Sequence, residues 1–504
     1  MNSNTKIVFS CLMLGMLMSS LGQMIFSTAL PTLVGELGGV EHMSWVITIF
    51  LVTMTIGMPI YGKLGDQVGR KPLYIIAIVL FLTGSAVGAL AQNMTMMIIA
   101  RGIQGAGAGG LMIGSQSIIA DVIPARERGK YMGIMGSVFG LSSVLGPLLG
   151  GFFTDGPGWR WALWFNLPLG LLCLSMVIPF MKLPRHHRQA RFDYLGAIFL
   201  AIATSCLILF ITWGGRDYPW GSAMILTLIA VTAVATAIFV VVERRVENPL
   251  VPMGLFRVRN FTLSTIGGTI VGVVMFGTLA YMPTYIQMVH SMSPTAAGLM
   301  MIPMMAGMII TSTISGRRVS QTGNYKWYPV VGMVIVALAM VLFGQFTEQD
   351  SLLRLGTVLA IMGVGLGLVM QILVLIVQNA FPITMVGTAT ATNNFFRQIG
   401  GAIGTAVIGS VFTHRLQDLL AERMPAAIKT MGTQGAQLAQ RSEGMLHSLT
   451  PDSVQRLPEP IFHVIVGSYN DALVPILLCM APAALAGALV LSFNKHQTLK
   501  ETIE

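Results

Sequence analysis

GKLGDQVGRK, residues 62–71, is a charged decapeptide in a chain that is otherwise strongly apolar. It holds four charged residues and three glycines, and it separates the apolar runs 44–61 and 73–91. Each run is long enough to cross about 30 Å of hydrocarbon as a helix. A short polar link between two such runs predicts two membrane-spanning helices, with the decapeptide at one membrane surface.

The composition places the whole chain in the same class. Of its 504 residues, 54% are hydrophobic and 10% are charged, and the mean hydropathy is +0.74. Long apolar runs recur along the sequence, which predicts an all-α, polytopic membrane protein. A β-barrel is excluded because its strands would read as alternating segments of about ten residues.

The apolar runs also predict the topology. The first run follows only Lys6 and is too long for a signal-peptide core, so we expect an uncleaved helix and a cytoplasmic amino terminus. Twenty of the 30 Lys and Arg residues then fall in inner segments and eight in outer ones. This orientation explains the net charge of +10 without nucleic acid, and it predicts a cell-membrane protein with both termini in the cytoplasm. The candidate spans number fourteen: 7–31, 43–61, 73–91, 95–119, 130–153, 161–181, 193–213, 222–242, 261–288, 296–316, 327–346, 353–379, 388–413 and 471–493.

The chain carries no motif for enzyme chemistry. HExxH, CxxC, GxSxG and the Walker loop are all absent from the sequence, so no catalytic residue, cofactor or ATP-driven step is predicted. The four cysteines fall inside predicted spans without close spacing, which favours packing over a disulfide or metal site: Cys11, Cys173, Cys206 and Cys479. Energy for any transport would have to come from an ion gradient.

An internal repeat organises the chain. Residues 101–129 align without a gap on residues 359–387, and the alignment pairs Gly105 with Gly363 and Gly129 with Gly387. Six spans, an inserted pair and six more spans follow, as the segments 1–182, 183–260 and 261–504. Parallel repeats with a site between the halves are a design of alternating-access transporters.

Polar side chains inside the spans are the candidates for a substrate cavity, since such groups are costly in lipid and usually face protein or water. The alternative for Arg101 and Arg397 is a snorkelling or structural hydrogen-bonding role. The glycines of GAGAGG, residues 105–110, and of GPLLGG, residues 146–151, indicate close helix packing, with a bend at Pro147. The predicted cavity residues are Ser20, Gln23, Ser27, Gln104, Tyr281, Tyr285, Gln371, Asn394 and Arg397.

These motifs resemble those of the major facilitator superfamily. GKLGDQVGRK looks like its loop 2–3 signature, RGIQGAGAGG resembles its span 4 motif, and GLSSVLGPLLGG, residues 140–151, resembles the span 5 motif of drug exporters. WRWALWFNLPLG at 159–170, FDYLG at 192–196 and the fourteen spans are similar to the drug:proton antiporter family of the EmrB/QacA type. The resemblance implies a major facilitator fold, two six-helix bundles with an inserted two-helix hairpin.

The resemblance also implies roles for particular residues. Asp66 would bond to span 13 or its cytoplasmic end and so latch an inner gate, while Ser320 stands in its place in the second copy. The implied inner-gate residues are Gly62, Asp66, Gly69, Arg70 and Lys71, and the implied bend of the antiporter motif lies at Gly146, Pro147, Gly150 and Gly151.

One departure from the family pattern changes the expected chemistry. The aspartate that such proteins often carry in span 1 is replaced by Gly22, and no acid is predicted deep in any span. Proton coupling would therefore rest on Arg101, Asp66 and Asp121. A cavity without an acid should favour neutral, amphiphilic or anionic substrates.

The leading hypothesis is a secondary multidrug exporter in contact with membrane lipids, amphiphilic substrates and protons. Two alternatives remain at this point, an exporter of an endogenous lipid or other amphiphile and a non-transporting sensor or scaffold. The outer segment 414–470 could bind a periplasmic or cell-wall partner, or it could be a tolerated insertion.

Overall fold

A computed structural model describes residues 3–38, 42–183, 191–215, 217–430, 454 and 457–499. These residues form α-helices joined by short links, with two 3-10 turns at Met253–Arg257 and Ile383–Met385. The helices are α1 Ser3–Met24, α2 Phe26–Leu37, α3 Met43–Val68, α4 Arg70–Ala89, α5 Met94–Val122, α6 Ala125–Asp155, α7 Arg160–Trp164, α8 Asn166–Phe180, α9 Tyr194–Trp213, α10 Ala223–Arg245, α11 Arg259–Val289, α12 Pro294–Leu299, α13 Ile302–Thr322, α14 Trp327–Phe343, α15 Leu352–Asn379, α16 Val386–Thr430 and α17 Glu459–Ser492.

The predicted all-α, polytopic architecture is confirmed within the described residues. Thirteen helical segments there are long and apolar enough to cross a membrane, and α14, at 17 residues, is a shorter apolar helix. The segment Arg160–Phe180, made of α7 and α8, counts as one span, whereas α1 breaks at Ile25 and continues as α2.

The helices pack as two bundles with a hairpin between them. In the first half α5 packs on α1, α3 and α4, and in the second half α15 packs on α13 and α14 in the equivalent way. Helices α9 and α10 pack on each other, and α9 also contacts α3 and α16. The inserted hairpin therefore touches one helix from each half.

Close glycine contacts explain the tight packing inside each half. A Cβ added to Gly107 would lie 2.6 Å from the carbonyl oxygen of Ala77, and one added to Gly365 would lie 2.7 Å from that of Gly332. A methyl group has no room at either position, so only glycine allows these helix pairs to approach. The interpretation of GAGAGG as a packing motif is supported by this geometry.

The ends of segment 414–470 are helical. Helix α16 continues to Thr430 and α17 begins at Glu459, so both extend well past the predicted spans. The Arg423 guanidinium forms an ion pair with Asp471 at 2.7 Å, and Arg415 Nε donates to the Asp471 carbonyl at 3.1 Å. Residues 431–453 lie outside the described residues, as does any partner surface predicted there.

The two halves meet mainly along two helix pairs, α3 with α16 and α6 with α13, and further contacts join α6 to α15 and α5 to α16. The repeat relates these pairs, because α3 corresponds to α13 and α6 corresponds to α16. The residues at these two contacts form the candidate functional site.

Candidate functional site

Asp66 caps a helix that belongs to the opposite half. Its Oδ1 accepts a hydrogen bond from the Gly387 N–H at 3.1 Å, and its Oδ2 accepts from the Thr388 N–H at 2.7 Å and the Thr388 hydroxyl at 2.8 Å. The first N–H groups of a helix have no acceptor within the helix and carry a partial positive charge. A carboxylate at this position is therefore well placed to hold α3 against the start of α16, and the contact expected for Asp66 is present.

Arg70 ties the same carboxylate to the rest of the first half. Its Nη2 lies 3.0 Å from Asp66 Oδ1 and 3.1 Å from the Ile383 carbonyl, and its Nη1 lies 2.6 Å from Asp121 Oδ1. Nη1 also donates to the Ser117 carbonyl. The three side chains are at most 8% exposed. We call Asp66, Arg70, Asp121 and Thr388 the acidic latch.

The remaining inner-gate residues fix the backbone around the acidic latch. A Cβ on Gly62 would lie 2.7 Å from the Gly387 carbonyl oxygen, so α3 and α16 touch backbone to backbone. Gly69 has φ +103°, a conformation that favours glycine, and it allows the sharp turn from α3 to α4. Lys71 Nζ donates to the Ile178 carbonyl at 2.7 Å, near the end of α8.

The second copy forms the same contact without a charge. Ser320 corresponds to Asp66, and its Oγ accepts a hydrogen bond from the Lys130 N–H at 3.1 Å, where Lys130 corresponds to Thr388. A Cβ on Gly129 would lie 2.8 Å from the Gly316 carbonyl oxygen, which mirrors the Gly62–Gly387 approach. We call Gly129, Lys130, Gly316 and Ser320 the hydroxyl latch. Both latches lie at the predicted cytoplasmic end.

A buried polar cluster crosses the boundary between the halves. Asn394 Nδ2 donates to Gln116 Oε1 at 2.7 Å, Gln378 Nε2 donates to the Gln116 carbonyl at 2.9 Å, and Arg397 donates to Asn394. All four side chains are at most 3% exposed. Asn394 and Arg397 thus lie at the contact between halves, together with Gln116, which the sequence reasoning missed. The repeat does not indicate a role for Gln116, because Val374 occupies the equivalent position in the second copy.

Arg101 lies within the first half, not at the contact between the halves. Its Nε donates to the Val46 carbonyl at 3.1 Å, and its Nη1 donates to the Gly22 carbonyl at 3.0 Å and Gln104 Oε1 at 2.6 Å. The guanidinium is also close to the rings of Phe26 and Phe50, at 4.4 and 4.1 Å. At 1% exposure it links α1, α3 and α5, as the structural alternative for this residue would require.

This geometry predicts the effect of Arg101→Lys. A lysine keeps the charge but loses the fork that reaches two carbonyls and an amide, so we expect the melting temperature of the purified protein to fall by several degrees. The apparent affinity for a transported probe should change less than about threefold, because the side chain does not reach the opposite half. Binding titrations and thermal unfolding in the same detergent measure the two effects. A large loss of affinity with unchanged stability would assign Arg101 to the cavity instead.

The other predicted cavity residues do not converge on one place. Gln104 donates to Ser85 at 2.8 Å, in the Arg101 region. Tyr281 and Tyr285 bond within the second half, to the Thr405 carbonyl at 3.2 Å and to Asn470 Oδ1 at 2.8 Å. Gln371 packs against Gly136 of α6, across the boundary. Ser20 is buried on α1 and Gln23 is half-buried there, while the side chain of Ser27 lies outside the described residues.

The antiporter-motif glycines differ in their contacts. Helix α6 runs through Pro147 to Asp155, and a Cβ on Gly146 would lie 2.5 Å from Met24 Cβ at the end of α1. Thr154 Oγ1 donates to the Gly150 carbonyl at 2.5 Å, and a Cβ on Gly151 would meet open space. The close approach of α6 to α1 is therefore at Gly146.

Two carboxylates outside the spans bind neighbouring segments between the helices at the predicted outer side of the membrane. Arg160 and Trp159 donate to Glu36 and lower its pKa. At Asp350 some burial raises the pKa, but hydrogen bonds from Thr347 and Arg354 outweigh this and lower it overall. Both groups therefore stay ionised at neutral pH and connect neighbouring helix ends.

A buried acid, Glu243, lies at the end of the inserted hairpin, one residue beyond the predicted span 222–242. This residue lies in the last turn of α10, which extends beyond the predicted end at residue 242, and it is 3% exposed. Its Oε2 accepts a hydrogen bond from the Val251 N–H at 3.0 Å. Asp193, in the motif FDYLG, is 6% exposed beside it and accepts from the Gly196 N–H at 2.8 Å.

The fold and the latches together define a class of protein. A multi-pass helical membrane protein built from two parallel six-helix repeats, with equivalent polar contacts between the repeats at one end, is a transporter and not an enzyme. The chain belongs to the major facilitator superfamily, since the family model of that description matches residues 12–405.

Individual proteins resemble this chain over nearly its whole length. It is 38% identical over 482 residues to the uncharacterized MFS-type transporter Rv1877 of Mycobacterium tuberculosis, covering 96% of this chain and 68% of that protein. It is 34% identical to Multidrug resistance protein 3 of Bacillus subtilis, covering 100% of this chain and 97% of that protein. The crystal structure of the human organic anion transporter MFSD10 has the same fold, with a TM-score of 0.62, 17% identity, and coverage of 97% of this chain and 100% of that one.

Proposed function

We propose that this protein is a secondary active transporter that exports amphiphilic or hydrophobic compounds by proton antiport, with alternating access to the two membrane faces. The observation that carries the proposal is the pair of equivalent contacts, Asp66 with Thr388 and Ser320 with Lys130, that join the halves at one end. Contacts of this kind can open together when one half rocks against the other. We infer that the structure is the state closed towards the cytoplasm.

The acidic latch also supports a link to protons. Asp66 accepts three hydrogen bonds from α16 and lies beside Arg70, so the latch depends on an ionised carboxylate. Protonation would remove most of the attraction to the helix start and to the guanidinium. A proton reaching this carboxylate would therefore favour opening at the cytoplasmic end.

The substrate class rests on the lining and on relatives. Arg397 is buried at the contact between the halves and the span 1 acid is replaced by Gly22, which favours neutral, amphiphilic or anionic compounds over dications. The 36 methionines provide adaptable apolar surfaces. One relative is named a multidrug resistance protein. The second candidate, export of an endogenous lipid or amphiphile, is favoured by the same missing acid.

The proposal predicts transport driven by a pH gradient. Purified protein in liposomes should accumulate ethidium or a fluorescent lipid when the lumen is acidified, and collapse of the gradient by a protonophore should abolish the accumulation. Empty liposomes with the same gradient are the control. If an imposed gradient moves no probe in a panel of dyes and lipids, proton-coupled export is wrong, and transport without a gradient effect would leave export but remove antiport.

Location and topology are part of the proposal. The excess of Lys and Arg in the inner segments supports an orientation with both termini in the cytoplasm and both latches at the cytoplasmic end, and the proposed location is the cell membrane. The helical ends of segment 414–470 would then extend outwards, where a periplasmic or cell-wall partner could bind.

A further inference from the structure

Two buried carboxyl groups meet at the predicted cytoplasmic end of the inserted hairpin. Asp193 precedes α9 and Glu243 lies in the last turn of α10, so the hairpin geometry brings them together from 50 residues apart in sequence. Asp193 Oδ2 and Glu243 Oε1 both lie within 2.7 Å of the point where a Cβ on Gly196 would be. The two oxygens are therefore no more than 5.4 Å, twice that distance, from each other.

Within the part of the chain that the structure describes, neither of these two oxygens has a hydrogen-bond partner, although both are buried. The other oxygen of each carboxyl is used, Asp193 Oδ1 by the Gly196 N–H and Glu243 Oε2 by the Val251 N–H. Asp193 Oδ2 and Glu243 Oε1 have no hydrogen-bond partner among the described residues. Two ionised carboxylates at this separation repel each other, and an unpaired buried charge is costly. One proton shared between the two oxygens would remove both penalties.

Among the described residues, one positive charge acts on Glu243. The Lys63 ammonium on α3 attracts the Glu243 carboxylate. The side chains of Ile60, Leu200, Phe239 and Phe395 form an apolar cluster beside the pair, contributed by α3, α9, α10 and α16. Among the described residues, other charged groups on the adjoining segments are exposed: Arg191, Arg244, Arg245, Glu247 and Arg257.

We propose that Asp193, Glu243 and Lys63 form a proton-binding site on the inserted hairpin, a site we call the hairpin acid pair. With both carboxyls ionised the three groups carry a net charge of minus one, and uptake of one proton makes them neutral. No other reactant is needed, because the proton comes from water and returns to it. The ligand of this site is the coupling proton itself.

The position of Lys63 links the hairpin acid pair to the acidic latch. Lys63 and Asp66 lie three residues apart on α3, within the decapeptide 62–71, so they share one helix end. When the pair takes up a proton, one of the two negative charges near Lys63 is removed. The electric field at the end of α3 therefore changes. The hairpin thus supplies the acid that span 1 lacks, and this role rests on the function proposed above.

Infrared spectroscopy tests the proton site without requiring transport. For the full-length protein in nanodiscs, the difference spectrum between acidic and alkaline buffer should contain a protonated-carboxyl band that Glu243→Gln removes and Asp193→Asn shifts. Gln and Asn keep the oxygens that accept the Val251 and Gly196 N–H groups, so both variants should fold. Glu247→Gln, four residues from Glu243 and exposed, is the matched control and should leave the band unchanged. A band that has the same frequency and intensity in both pair variants as in the wild type would overturn the proposal.

A transport comparison separates this inference from the proposed function. In liposomes, Glu243→Gln should lower accumulation driven by a pH gradient about tenfold, while exchange of labelled probe at equal pH on both sides should stay within about twofold. If the wild type responds to the gradient and Glu243→Gln responds equally, the pair is not the coupling site although antiport is right. If the wild type ignores the gradient, antiport itself fails, and the infrared band still decides whether the pair binds a proton.

Discussion

Replacing Asp66 by alanine should abolish transport, whereas replacing Ser320 by alanine should reduce the rate by no more than about threefold. The two residues occupy equivalent places in the repeat, so each is a control for the other. The difference arises because Asp66 accepts three hydrogen bonds from α16 and pairs with Arg70, while Ser320 accepts one backbone hydrogen bond from α6. Hydrogen bonds to a charged group contribute about 1.5 to 3 kcal/mol each, roughly twice the neutral value.

The loss in Asp66→Ala has two physical parts. The first turn of α16 loses its acceptor, and Arg70 is left with Asp121 as its remaining carboxylate partner in the described residues. Losing about 3 kcal/mol of interaction between the halves shifts the equilibrium between the states closed and open at the predicted cytoplasmic end about 150-fold. The closed state therefore becomes rare. Asp66→Asn should be intermediate, because an amide oxygen still accepts from one N–H group but carries no charge.

The measurement compares initial rates of probe accumulation at matched amounts of protein in the membrane. Purification yield and elution volume must match the wild type, so that a folding defect is not read as a gate defect. Equal rates for Asp66→Ala and Ser320→Ala would mean that the decapeptide is an orientation signal and not a latch.

Sequence reasoning reached the fold because the fold depends on features that are local or repeated. The long apolar runs predict spans one at a time, and the pairing of Gly105 with Gly363 and of Gly129 with Gly387 relates the halves. In the structure, a Cβ atom at any of these four glycines would collide with a neighbouring helix. The space between the helices therefore requires glycine at each position. The role of Asp66 was predicted differently, from the resemblance of GKLGDQVGRK to the loop 2–3 signature of the major facilitator superfamily.

The polar residues were predicted less well, because a helical stripe does not say which neighbour it faces. Arg101 and Arg397 have similar surroundings in the sequence. In the structure, however, Arg101 bonds within the first half, whereas Arg397 lies in the cluster with Gln116. Glu243 was missed because it follows an apolar run and its burial depends on the returning segment at Val251. Only the tertiary fold brings that segment and Asp193 to it.

Adding a methyl group at Gly316 should have the second large effect, because it separates the halves at the hydroxyl latch. A Cβ at this position would overlap the Gly129 carbonyl oxygen, and a backbone oxygen cannot move aside as a flexible side chain can. We expect Gly316→Ala to lower the transport rate at least about tenfold by disfavouring the state closed at the predicted cytoplasmic end. Gly298→Ala is the matched control in the same half, because a Cβ there would meet open space.

The change in distance between the halves distinguishes a separation of the halves from a general loss of structure. Spin labels at the exposed positions Glu127 and Thr322, with Cys206 and Cys479 replaced, should report a longer distance in Gly316→Ala than in the wild type or Gly298→Ala. The melting temperature should change little, because overpacking is relieved when the halves separate. Asp66→Ala should lengthen the same distance, since both latches close one interface. An unchanged distance together with lost transport would place the effect of Gly316 inside its own half and contradict the paired-latch mechanism.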